Sequence, residues 1–162
     1  MLFAPQTRAS VATRTLVTRS LMALLVILAA NACTERFEEE YRTLAEAEAD
    51  GAVKRGWIPH DVPPTSRNIR EWHDLDTNRG FGLLEFTDRD EEWIQQHLRP
   101  LPSGIEFVDT RGGGPDWWPP ELAGALDRGA LEQRNVTLYQ SSEFGFAVDT
   151  STNRLYFWQR RP

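Results

Sequence analysis

The feature that most limits the fold is an alternation near the C-terminus. Phe144, Phe146 and Val148, and then Leu155, Phe157 and Gln159, take every second position on either side of Thr150–Asn153. Successive side chains of a strand point to opposite faces, so this period of two predicts two strands that each turn one face to a core. The Thr-Ser-Thr-Asn segment between them reads as the turn of an antiparallel hairpin.

A second hairpin is predicted from residues 69–76 (IREWHDLD) and 81–87 (FGLLEFT), which flank Thr77-Asn78-Arg79-Gly80 with Gly80 at the bulge position. Val136–Gln140 and residues 105–109 read as further strands. Asp88, followed by Glu91, caps a helix whose face is Trp93, Ile94, His97 and Leu98 and which Pro100 ends. A short helix is expected from Glu121 to about Gln133, with Leu122, Ala125 and Leu126 inward. Arg111 through Pro120 (RGGGPDWWPP) holds too many Gly and Pro residues for regular structure. At residues 35–55, Phe37, Tyr41, Leu44, Ala45 and Ala52 recur near helical spacing between glutamates. That pattern predicts an N-terminal amphipathic helix with Lys54-Arg55 at its end and Gly56 as its left-handed cap. Strands joined by hairpin-length turns outnumber helices. The fold class is therefore α+β, a single domain made mainly of an antiparallel sheet with helices packed on one face.

Ahead of this domain, Leu21–Ala30 (LMALLVILAA) follows Arg8, Arg14 and Arg19 and leads into Ala30-Asn31-Ala32-Cys33. Basic residues, an apolar stretch and small residues before a cut are the parts of a secretory signal, which assigns 1–32 to a signal peptide. The uncharged stretch from Ser20 to Thr34 falls short of the roughly 20 residues a spanning helix needs. Ala30-x-Ala32 fits ordinary signal peptidase, and the cysteine fits lipoprotein processing; both cuts fall before Cys33. Cys33 resembles the lipidated cysteine of bacterial lipoproteins, with Ala30 where those proteins usually carry Leu. Under that resemblance Cys33 takes a diacylglycerol and an acyl chain such as palmitate. The mature domain then hangs in the periplasm from a membrane, and Thr34, in place of the Asp of inner-membrane retention, favours the outer one. Residues 33–40 would be a short acidic tether and the start of the first helix, and 41–162 the domain.

Of the chain's 18 basic residues three precede Cys33, leaving 15 against 24 acids, a net charge of −9. A surface of that sign repels phosphate backbones, so nucleic acid is not an expected partner. One cysteine excludes an intrachain disulfide and a cysteine-rich metal site. No phosphate loop, nucleophile elbow or H-E-x-x-H pair occurs, and neither an enzyme activity nor a cofactor is expected. His73, Asp74 and Asp76 keep open the alternative of acid–base chemistry or a divalent cation, although neighbours on a strand point to opposite faces. The paired indoles Trp117 and Trp118, with Arg111, are the candidate platform for a binding partner, an envelope protein or envelope component.

Asp50-Gly51-Ala52, Arg55-Gly56-Trp57-Ile58-Pro59, Pro64, Asn68-Ile69-Arg70-Glu71 and His73-Asp74-Leu75-Asp76-Thr77-Asn78 together resemble the YbbD head domain, a family of small bacterial proteins. Trp117-Trp118-Pro119 and Val148-Asp149 with Tyr156-Phe157-Trp158 extend the resemblance over most of 41–160. It implies one domain and an envelope address, and carries no activity, cofactor or catalytic residue.

Overall fold

The structure is a computed structural model that describes residues 35–104, 106–111 and 113–160; residues 1–32, read above as a signal peptide, and Cys33 lie outside them. The predicted C-terminal hairpin forms from β8 (Phe144–Asp149) and β9 (Arg154–Gln159), paired from Phe144↔Gln159 to Asp149↔Arg154. Asn153 at the turn takes a left-handed φ of 54°, a conformation asparagine tolerates better than other non-glycine residues. The second hairpin joins β2 (Arg67–Asp74) to β3 (Arg79–Glu85). The left-handed residue of its turn is Asn78 (φ 49°), and Gly80 lies inside the strand opposite His73.

Around these hairpins an antiparallel sheet of seven strands is ordered β1-β2-β3-β9-β8-β7-β4, with β1 at Arg36–Thr43, β7 at Val136–Gln140 and β4 at Arg99–Pro100. A two-stranded ribbon pairs β5 (Phe107–Val108) with β6 (Gly124–Ala125). Strand parity divides the core. Ile69, Leu84, Phe146, Val148, Leu155 and Phe157 pack on one face, while Trp72, Phe81, Leu138, Ala147 and Trp158 pack on the other.

Both faces are covered, which corrects the expectation of helices on one face. The first face is roofed by α1 (Leu44–Asp50) through Leu44 and Ala47, and by α2 (Glu91–His97) through Ile94 and the following Leu98. The second face receives Leu122 of a 3-10 turn at Pro120–Leu122, and Leu131 of α3 (Arg128–Glu132).

Three further readings change. The N-terminal amphipathic helix is a strand for its first half: β1 pairs with β2 from Arg36↔Asp74 to Thr43↔Arg67, so residues 36–40 of the span read as tether and helix start form the sheet's edge. Arg70 reaches across to Glu38 and Glu40 at 2.8 and 2.9 Å, cross-strand pairs that a helix could not make. The helix begins only after Thr43, whose hydroxyl accepts the Glu46 N–H, and it ends at Gly51 (φ 87°) rather than Gly56. At Asp88 the cap moves one residue back. The Asp90 carboxylate accepts the Thr87 N–H and hydroxyl at 2.8 and 2.7 Å. Finally, the helix expected over Glu121 to Gln133 is interrupted where Gly124 adopts φ 74° and β6 pairs with β5.

Candidate binding site

Parity also sorts the residues that were candidates for chemistry. His73 faces the first core and Asp74 the second, while Asp76 is exposed in the turn. The three do not converge, which removes the cation or acid–base reading of His73, Asp74 and Asp76. Among the described residues no group of His, Cys, Asp or Glu side chains is placed to hold a metal ion.

His73 instead meets Glu71, its neighbour two positions back on the same face. Its Nδ1 lies 2.9 Å from Glu71 Oε2, and both side chains are buried. Trp57 stacks on the imidazole at 3.8 Å and Phe37 of the edge strand at 5.1 Å, while the Arg55 guanidinium sits 4.0 Å over the Trp57 ring. Burial pushes the Glu71 carboxyl above its ordinary range, although the His73 hydrogen bond pulls the other way. The pair fastens β1 and the segment after α1 to the sheet.

On the opposite face Asp74 is the hub of a second network. Its Oδ2 lies 3.2 Å from Arg36 Nε and 3.3 Å from Arg79 Nη2, and its Oδ1 accepts the Thr77 N–H at 3.1 Å. Arg79, almost fully buried, donates its Nε to the Thr77 hydroxyl at 2.9 Å and its Nη1 to the Arg111 carbonyl. Burial works to raise the Asp74 carboxyl, but the Thr77 and arginine hydrogen bonds outweigh it and hold the group below its ordinary value. Asp90 is lowered in the same manner, with Thr65 and Thr87 overcoming burial.

These directions have opposite consequences for stability. A lowered folded pKa contributes stability that is present above the unfolded value and is lost as pH falls through the folded one; a raised folded pKa disfavours the fold as pH rises past the unfolded value. Stability is therefore expected to drop on acidification below about pH 4. Thermal unfolding from acid to neutral pH should show a shallower acid limb for Asp74→Asn than for wild type. For Glu71→Gln, the difference from wild type should shift in favour of the variant as pH rises through the ordinary carboxylate range. Acid limbs that superimpose for wild type and Asp74→Asn would contradict the Asp74 network.

The two indoles part company. Trp118 is core: 7% exposed, its Nε1 donates to the Leu122 carbonyl at 3.0 Å, and Phe81, Tyr156 and Trp158 surround its ring. Trp117 is half-buried. Its Nε1 donates to Glu38 Oε1 at 2.6 Å and the Arg70 guanidinium lies 5.3 Å from its ring. Trp118 therefore fixes the Gly/Pro loop to the core and is not part of an exposed platform, while Trp117 stays half-buried against Glu38 of β1 and Arg70 of β2.

Arg111 keeps an open position. Its side chain is 80% exposed, paired with Asp109 at 3.0 Å and set 5.7 Å over the Phe107 ring. It lines a cleft of about 360 Å³ with Arg79, Phe107, Asp109, Trp158 and Arg160, a size within the range of small-ligand sites. Arg160 is held by Glu106 at 3.1 Å. The cleft thus presents guanidinium groups beside an exposed phenyl ring. Arg79, Glu106 and Arg160 were not singled out from sequence: their convergence depends on how β3, β9 and the 106–111 segment come together, which no local pattern encodes. Glu71 could have been found, since residues two apart on a strand share a face.

The architecture is that of an α+β domain with a two-sided antiparallel sheet. Residues 35–84, β1 through nearly all of β3, match the family model of the YbbD head domain. The match takes in the Asp50–Asn78 motifs on which the resemblance was drawn; the Trp-Trp-Pro loop and the C-terminal hairpin lie beyond it. No curated protein and no solved structure matches the chain.

Proposed function

We propose that the chain is a bacterial envelope lipoprotein, acylated at Cys33, whose sheet domain acts by binding and not by catalysis. The observation that carries this reading is the position of Cys33, the chain's one cysteine, directly behind an apolar run and Ala32. Buried acyl methylenes contribute about 0.8 kcal/mol each, and two or more chains make a stable anchor. Thr34 after the cysteine supports the outer membrane as the address, with the domain in the periplasm. The partner is an envelope protein or another envelope component, met at the Arg111 end of the domain, where the cleft offers cationic and aromatic contacts of the kind enriched at binding hot spots.

Detergent phase partition after expression with a bacterial export system tests the anchor. Wild type is expected in the detergent phase and Cys33→Ala in the aqueous phase. Wild type released into the aqueous phase would instead mean that Cys33 is an ordinary residue after a signal peptide and that the domain works as a soluble periplasmic or secreted binder.

A further inference from the structure

Among the described residues the exposed large hydrophobic side chains are Phe37, Leu75 and Phe107, at 45%, 51% and 52% exposure. Isolated exposed apolar residues are ordinary on a protein surface, but these share one end of the sheet. Phe37 lies opposite His73 in the β1–β2 register, and Leu75 follows Asp74 at the start of the β2–β3 turn. On the other arm of that turn Arg79 bonds the Arg111 carbonyl, and the Arg111 guanidinium covers Phe107. A methyl group added at Gly113 would sit 3.5 Å from Arg36 Nη1, which brings the same loop to the start of β1.

This is also the end where the chain enters the sheet. Cys33 precedes Arg36 by three residues, an extended reach of about 10 Å. Acylation there, on which the following rests, would hold this end within one short tether of the bilayer, whatever the orientation of the rest of the domain.

We infer that this end of the domain seats on the lipid surface, with Phe37, Leu75 and Phe107 entering the interfacial layer and Arg36 and Arg111 at the level of the headgroup phosphates. The envelope component met by the Arg111 end is then the membrane itself. Apolar rings suit the boundary between headgroups and acyl chains, and guanidinium groups bond phosphate oxygens while their stems lie against apolar surface. The opposite end of the sheet, at the turn around Ser151, carries no exposed large hydrophobic side chain among the described residues and would face water.

The test uses the full lipidated protein in vesicles of equimolar phosphatidylethanolamine and phosphatidylglycerol, with acylation of Cys33 verified by mass. An acylated Cys33 has no free thiol, so Leu75→Cys and Ser151→Cys each offer a single site for a nitroxide label. The ratio of accessibility to oxygen over accessibility to a water-soluble nickel complex is expected to be at least severalfold higher at position 75 than at 151. Equal, water-like ratios at both positions on acylated protein would overturn the seating and leave the anchor standing. A chain with no acyl mass on Cys33 would overturn both.

Discussion

Gly82→Ala is expected to remove a large share of the domain's stability. A Cβ at position 82 would sit 1.8 Å from Phe157 Cζ and 2.2 Å from its Cε2, so the ring occupies the place of the missing side chain. Phe157 is opposite Gly82 in the β3–β9 register and has no exposed surface, leaving the ring nowhere to go without vacating its core site. Overpacking typically costs about 1–3 kcal/mol, and losing a buried phenyl ring costs about 3–5 kcal/mol. The expected loss lies in the second range, against a total of about 5–15 kcal/mol for a domain. Gly114→Ala is the control, because its nearest neighbour, Phe81 Cε2, lies at an ordinary contact distance of 3.8 Å. Urea unfolding should put Gly82→Ala far below wild type and Gly114→Ala close to it. Equal midpoints for all three would mean that Phe157 does not cross the glycine.

The second large effect is expected at Asp74. Asp74→Ala strips the partner from Arg79, which is 6% exposed, and frees the Thr77 N–H, while Arg36 keeps part of its charge in water. Breaking a buried ion pair by removing one member costs about 3–5 kcal/mol; the half-exposed Arg36 sets the expectation at about 3. Chemical denaturation measures it, and Arg111→Ala, which removes a guanidinium from a solvent-exposed pair, is expected to leave the midpoint unchanged. A loss no larger for Asp74→Ala than for Arg111→Ala would contradict the hub role of Asp74.

The particular elements explain what could be read ahead of the structure. β7, β8 and β9 and the β2–β3 hairpin were legible because period-two alternation and turn residues such as Asn153 and Asn78 are local signals. β1 was not. Phe37 and Tyr41 are four apart, a spacing that puts both on one face of a helix and equally of a strand, and the choice between them falls to pairing with β2, far along the chain. Within residues 121–133 the left-handed Gly124 and the ribbon with β5 broke a helix that composition alone permitted.

The site divides along the same line. Parity on β2 was enough to separate His73 from Asp74, and the same rule applied one step further joins His73 to Glu71. Arg111 was legible as an exposed charge in an irregular loop. The burial of Trp118 was not, because Trp-Trp-Pro-Pro reads alike whether the indoles face water or the core, and their separation needs the loop to fold back over β3 and β9.

The most direct measurement is the intact mass of the chain purified from membranes, with peptide mapping of its N-terminus. A chain that begins at Cys33 and carries the added mass of a diacylglyceryl group and acyl chain is the expected result, and it fixes the domain to the bilayer through the start of β1. An unmodified chain that begins at Cys33 would contradict the anchor and release the domain from the membrane.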